Sequence, residues 1–94
     1  MKPYRWSAAK GELLRAQRGV GFEMVVAAML AGGLLDVLAH PNPERDPGQR
    51  IAVVDVGGYA VLVPYAEGDD HLFLKTAIPS RKATRAYLGG RYDA

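Results

Sequence analysis

The chain has 94 residues, 49% hydrophobic and 23% charged, with no cysteine and a formal net charge of +2. This suits one folded domain over residues 1–94, and excludes disorder, a disulfide scaffold, a thiol nucleophile and a cysteine-built zinc site. The longest charge-free apolar stretch, Met24 to Leu35, falls short of the roughly 18 residues that cross a bilayer, and Met1 to Ser7 holds no apolar signal region. The expectation is a soluble cytoplasmic protein with no membrane partner.

Ser7 is a good N-cap for a first helix, Ala8 to Arg18, with Gly19 as its stop. Leu13 and Leu14 give it a narrow apolar stripe, and Gly11 weakens it by roughly 1 kcal/mol relative to Ala. A second helix reads from Phe22 to about Ala31. Its Phe22, Val25, Val26, Met29 and Leu30 recur at i, i+3, i+4, i+7 and i+8, the spacing of one buried face. Gly32-Gly33 ends it. The period then changes from 3.6 to 2. Strands are expected at Leu34 to Ala39, Ile51 to Val56, Tyr59 to Tyr65 and His71 to Ile78. A Pro-rich loop from His40 to Gln49 separates the first two, Gly57-Gly58 is a two-residue hairpin turn, and Glu67 to Asp70 is another. Pro79-Ser80 opens a short helix, Arg81 to Leu88, stopped by Gly89-Gly90. The expected class is α+β in the order ααββββα: two N-terminal helices, a four-stranded antiparallel sheet and a short C-terminal helix.

The small net charge hides an asymmetry. Residues 1–19 sum to +4, residues 20–74 to −6 and residues 75–94 to +4. If the two ends meet, they make a basic face fit for nucleic acid or an acidic partner; otherwise they are two solvated helices. Within the C-terminal block, Ser80 is placed as N-cap, so Arg81 and Lys82 fall in the first helical turn. The helix macrodipole disfavours cations there by about 0.3–1 kcal/mol. Cations beside free helix N–H groups are what an incoming phosphate requires; the plainer alternative is a wet helix surface built from good helix formers. His40, Asn42, Glu44 and Arg45 place several chemically capable groups on the long loop, which reads equally as a rigid exposed connection. Tyr4, Trp6, Tyr59, Tyr65, Tyr87 and Tyr92 are either core or a base-stacking surface. His71, beside Asp69 and Asp70, is too isolated to suggest a metal site, and Gly19-Val20-Gly21 reads as a turn rather than a nucleotide loop.

Three stretches resemble the BrnT family of type II toxins, small ribonucleases with a RelE-like fold. They are Trp6 with the Lys-containing helix after it; Arg18-Gly19-Val20-Gly21-Phe22-Glu23; and Ile78-Pro79-Ser80-Arg81-Lys82-Ala83-Thr84 followed by Tyr87. The similarity runs through nearly the whole chain in order, and Arg-Lys-Ala-Thr is its most specific part. Two positions depart from the family pattern: Gly21 replaces a usual Ser, and Arg18 stands where many members have His. The resemblance implies metal-independent RNA cleavage with no cofactor, in which the ribose 2′-OH attacks the adjacent phosphate. It assigns Arg81 and Arg50 to charge stabilisation, Lys82 to phosphate contact or proton donation, and His40 to proton exchange. Ser80, Arg45, Lys75 and Arg85 are the accompanying phosphate-binding candidates, whereas Thr84 is expected to bond locally within its helix. The implied partners are RNA and a cognate antitoxin with a DNA-binding domain, in a homodimer or hetero-oligomer. The alternative is a RelE-like module that has lost catalysis and binds protein or nucleic acid.

Overall fold

The computed structural model describes residues 2–39 and 48–92. The chain runs β1 (Tyr4–Arg5), α1 (Ala8–Arg18), α2 (Phe22–Leu30), β2 (Leu34–Ala39), β3 (Gln49–Val56), β4 (Tyr59–Glu67), β5 (Leu72–Leu74), β6 (Ile78–Pro79) and α3 (Arg81–Tyr92). The strands form one mixed, mostly antiparallel sheet in the order β1-β5-β4-β3-β2, with β6 also on β4. The class is α+β, as expected, but the sheet is not the four-stranded one read from the sequence.

Two physical reasons account for the difference. The two-residue β1 is too short to show any alternation, and it pairs in parallel with β5, Tyr4 opposite Leu72 and Arg5 opposite Phe73. The expected last strand, His71 to Ile78, is divided. Tyr65 lies opposite Leu74 on β4 and Leu62 opposite Ile78, which leaves one residue too many on the outer segment. Pro64 sits at that point on β4. Its carbonyl accepts the Lys75 N–H at 2.9 Å, but it has no N–H to return, and a proline inside a sheet belongs at such a bulge. Ala77, freed from the ladder, is fully buried, and its carbonyl takes the Arg18 guanidinium at 2.9 Å.

Each face of the sheet carries its own core. On one, Leu14 of α1 and Phe22 and Val25 of α2 pack on Ala52, Val54, Val61, Val63 and Leu74. On the other, Ala83 and Leu88 of α3 pack on Val53 and Ala60, with Leu35 and Leu62 alongside. Alternation along β3 and β4 sends successive side chains to opposite helical layers. The start and stop of α1 follow the expected chemistry. Ser7 Oγ accepts the Lys10 N–H, and Gly19 ends α1 at φ 71°. Gly57 and Gly58, at φ 60° and 91°, make the hairpin turn, whose primed geometry needs both positive.

Two expectations are corrected. Leu30, assigned to the buried face of α2, is 66% exposed at the helix end. The Gly89-Gly90 pair does not stop α3, which continues to Tyr92 because the backbone keeps helical dihedrals there instead of the left-handed turn that Gly19 takes. Gly33 matters for a different reason. A Cβ there would lie 2.7 Å from the Ala28 carbonyl oxygen and 2.8 Å from that of Asp55, and neither backbone atom can retreat without breaking a bond that Gly33 makes to the same residue. Gly33→Ala is therefore expected to cost at least roughly 1 kcal/mol, read as a fall of about 4 °C or more in melting temperature.

Candidate nucleic-acid interface

The start of α3 is built as the sequence suggested. Ser80 Oγ accepts the Ala83 N–H at 3.0 Å, and the Ser80 carbonyl accepts both the Thr84 N–H and the Thr84 hydroxyl, at 2.9 and 2.7 Å. Thr84 Oγ1 in turn accepts the Ala60 N–H at 2.8 Å. This buried threonine thus bonds helix to sheet and fixes where α3 begins. The Ser80 N–H closes the arrangement by donating to the Ala60 carbonyl at 2.9 Å. Farther along, the Tyr87 hydroxyl donates to Asp36 Oδ2 on β2 at 2.7 Å, and this bond raises the Tyr87 pKa. The other oxygen of Asp36 accepts the Val37 N–H at 2.8 Å.

With Ala83, Thr84 and Leu88 turned to the sheet, helical geometry leaves Arg81, Lys82 and Arg85 outward. All three are exposed, and with Ala86 they line one open surface hollow. There is no acid in the first turn of α3, and none of the three cations has an acidic partner among the described residues. Three of the eight site candidates are therefore brought together, with Ser80 beneath them as the cap.

The others divide. Lys75, exposed, continues β5 and alternates to the side of the sheet that α3 occupies, since Leu74 is in the opposite core. Arg50 does not join it. It lies opposite Tyr65 on β4, and Tyr65 packs with α1 and α2, so Arg50 is on the far side of the sheet from α3. There burial raises the Tyr65 pKa and the Arg50 charge partly opposes it. His40 and Arg45 lie outside the described residues. The second histidine, His71, is held by Asp70 at 2.7 Å in the β4–β5 turn. Among the described residues no three His, Asp or Glu side chains converge as metal ligands, and no helix is long and apolar enough to cross a membrane.

The basic ends of the chain meet in part. Of the N-terminal cations, Lys2 is bound to Glu67 at 2.7 Å, Arg15 to Glu23 at 3.0 Å, and Arg18 to the Ala77 carbonyl. Arg5 remains exposed, and β1–β5 pairing sets it opposite Phe73, two residues from Lys75 on the same side. The α3 side of the molecule thus presents Arg5, Lys75, Arg81, Lys82 and Arg85. Sequence reasoning passed over Arg5 and Phe73 because the pairing that places them joins residues 68 apart in the chain. No protein-family model, no curated protein and no solved structure matches this chain.

Proposed function

We propose that this protein is an endoribonuclease toxin of a type II toxin–antitoxin system, with a RelE-like domain, that cleaves RNA without metal or cofactor and so inhibits translation. The observation that carries the reading is the hollow of Arg81, Lys82 and Arg85 at the capped start of α3, on the same side of the sheet as Arg5 and Lys75. Cations against the positive end of a helix are unfavourable until an anion joins them. The Arg-Lys-Ala-Thr stretch, the most specific part of the resemblance to the BrnT toxins, supplies Arg81 and Lys82 to this hollow. In the reaction the 2′ oxygen bonds to phosphorus as its proton leaves, the bond to the 5′ oxygen breaks, and that oxygen takes up a proton. Arg81 and Lys82 serve by neutralising the charge that builds on the phosphoryl oxygens. A cognate antitoxin with a DNA-binding domain would cover the basic face in the cytoplasm.

A second reading, a binding module without catalysis, is favoured by the position of Arg50 across the sheet from the α3 cations. Incubating the purified protein with RNA in a chelator separates the two. The toxin reading expects cleavage leaving 2′,3′-cyclic phosphate ends, reduced at least about 100-fold in Arg81→Ala, in line with loss of a charge-stabilising donor. Intact RNA bound by the wild type would leave a nucleic-acid-binding module; RNA neither bound nor cut would overturn the toxin reading and leave only a module that binds protein.

A further inference from the structure

The side of the sheet that carries α3 is only half covered by it. Helix α3 lies over the end nearest the Gly57-Gly58 turn, where Leu62 and Val53 are packed beneath it. At the other end, strand register aligns two rows of side chains on the same face. One row reads Arg5, Phe73, Ala66 and Gln49 across β1, β5, β4 and β3. The next begins at Lys75, whose N–H bonds Pro64, and continues through Pro64, Ile51 and Leu38 across β4, β3 and β2. Leu38 is 38% exposed and the other apolar members are only half-buried. None of them belongs to the core that α3 builds with the sheet.

Phe73 is the unexplained residue of this shelf. Leu72 and Leu74 on either side point to the α1–α2 layer, and Phe73 is packed in neither core. An aromatic ring is left half-buried on this face of the sheet. Arg5 lies directly across from it and Lys75 two residues along, neither with an acidic partner in hydrogen-bond contact among the described residues. Arg5 acts on the Asp70 carboxylate, which is held below its usual range first by its bond to His71, with Arg5 a lesser contributor. A ring on an open sheet with cations at its margin is the arrangement that stacks an unpaired base and holds the phosphates beside it.

We infer that Phe73 is a base-stacking platform for single-stranded RNA, with Arg5 and Lys75 holding the flanking phosphates. This rests on the RNA reading above and extends it to the kind of RNA: a splayed single strand crossing β5, not a duplex. An A-form helix keeps its base faces stacked away from such a ring.

The test is binding of a fluorescent nine-nucleotide 2′-O-methyl oligouridine, which lacks the attacking hydroxyl, and of the same length of RNA duplex. Phe73→Leu is expected to weaken single-strand binding about tenfold without changing its salt dependence. Phe73→Tyr, which keeps the ring, is expected to bind within about twofold of wild type. Arg5→Ala and Lys75→Ala should each lower the slope of log affinity against log salt by about 0.7. Independently of any variant, 5-iodouridine in the strand should photo-crosslink to Phe73. Single-strand binding that Arg81→Ala weakens but Phe73→Leu leaves intact, with crosslinks elsewhere, overturns the stacking role alone. Tighter binding of duplex than of single strand does the same. A wild-type protein that binds neither overturns the RNA reading and this inference together.

Discussion

Phe22→Ala is expected to lower the unfolding free energy by about 3–5 kcal/mol, a large share of the 5–15 kcal/mol typical of a domain. Phe22 opens α2 immediately after its Gly21 N-cap and is fully buried. Its ring lies 5.8 Å from that of Trp6 and against the bare backbone of Gly11, where a Cβ would come within 3.3 Å of Phe22 Cδ2. One side chain therefore joins the β1–α1 link, α1 and α2 over the sheet. The glycine that weakens α1 as an isolated helix is the surface against which this ring rests. Urea unfolding followed by the Trp6 fluorescence measures the loss directly, and a change below about 1.5 kcal/mol would mean the ring does not hold these elements together.

Thr84→Val is the second large effect, and it reaches the candidate site. The substitution keeps the volume of the side chain and removes its hydroxyl. The Ala60 N–H then loses its acceptor in a buried position, at a cost of about 1–3 kcal/mol, and the Ser80 carbonyl loses its shortest donor. Because these bonds tie the first turn of α3 to β4, the loss is expected to fall on α3 first. Hydrogen exchange should show the amides of Ala83 and Thr84 opening faster while those of Val53 and Val54, central in the sheet, change less. Equal acceleration at both places would show that α3 and the sheet unfold as one unit.

Much of this architecture is legible in the residues. The helical spacing after Phe22, the alternation from Leu34, the Ser7 and Ser80 caps and the Gly57-Gly58 turn are local signals, and the elements form where those signals lie. The features that escape are set by distant partners. The β1 strand exists because β5 receives it. The break before β6 follows from Pro64 on a neighbouring strand, a proline that alternation alone reads as an ordinary strand position. Gly89-Gly90 carries a stop signal that the surrounding helix overrides. At the site, the clustering of Arg81, Lys82 and Arg85 follows from helical spacing and was readable. That Arg50 lies across the sheet from them was not, since alternation assigns residues to two faces without saying which one α3 takes. Phe73 was hidden in the same way, inside an unbroken Leu-Phe-Leu run that shows no face of its own.

Under the proposed function, the α3 side of the sheet is a phosphate-binding surface. Its most direct measurement is the salt dependence of binding to a single-stranded oligonucleotide, for the wild type and for Arg81→Ala/Lys82→Ala/Arg85→Ala. These side chains are exposed and outside both cores, so the triple variant is expected to fold. At about 0.7 per phosphate contact, the slope of log affinity against log salt should fall by about 2 in the variant, with affinity at low salt falling in step. Wild-type binding that does not weaken as salt rises, or a variant with the wild-type slope, would contradict it.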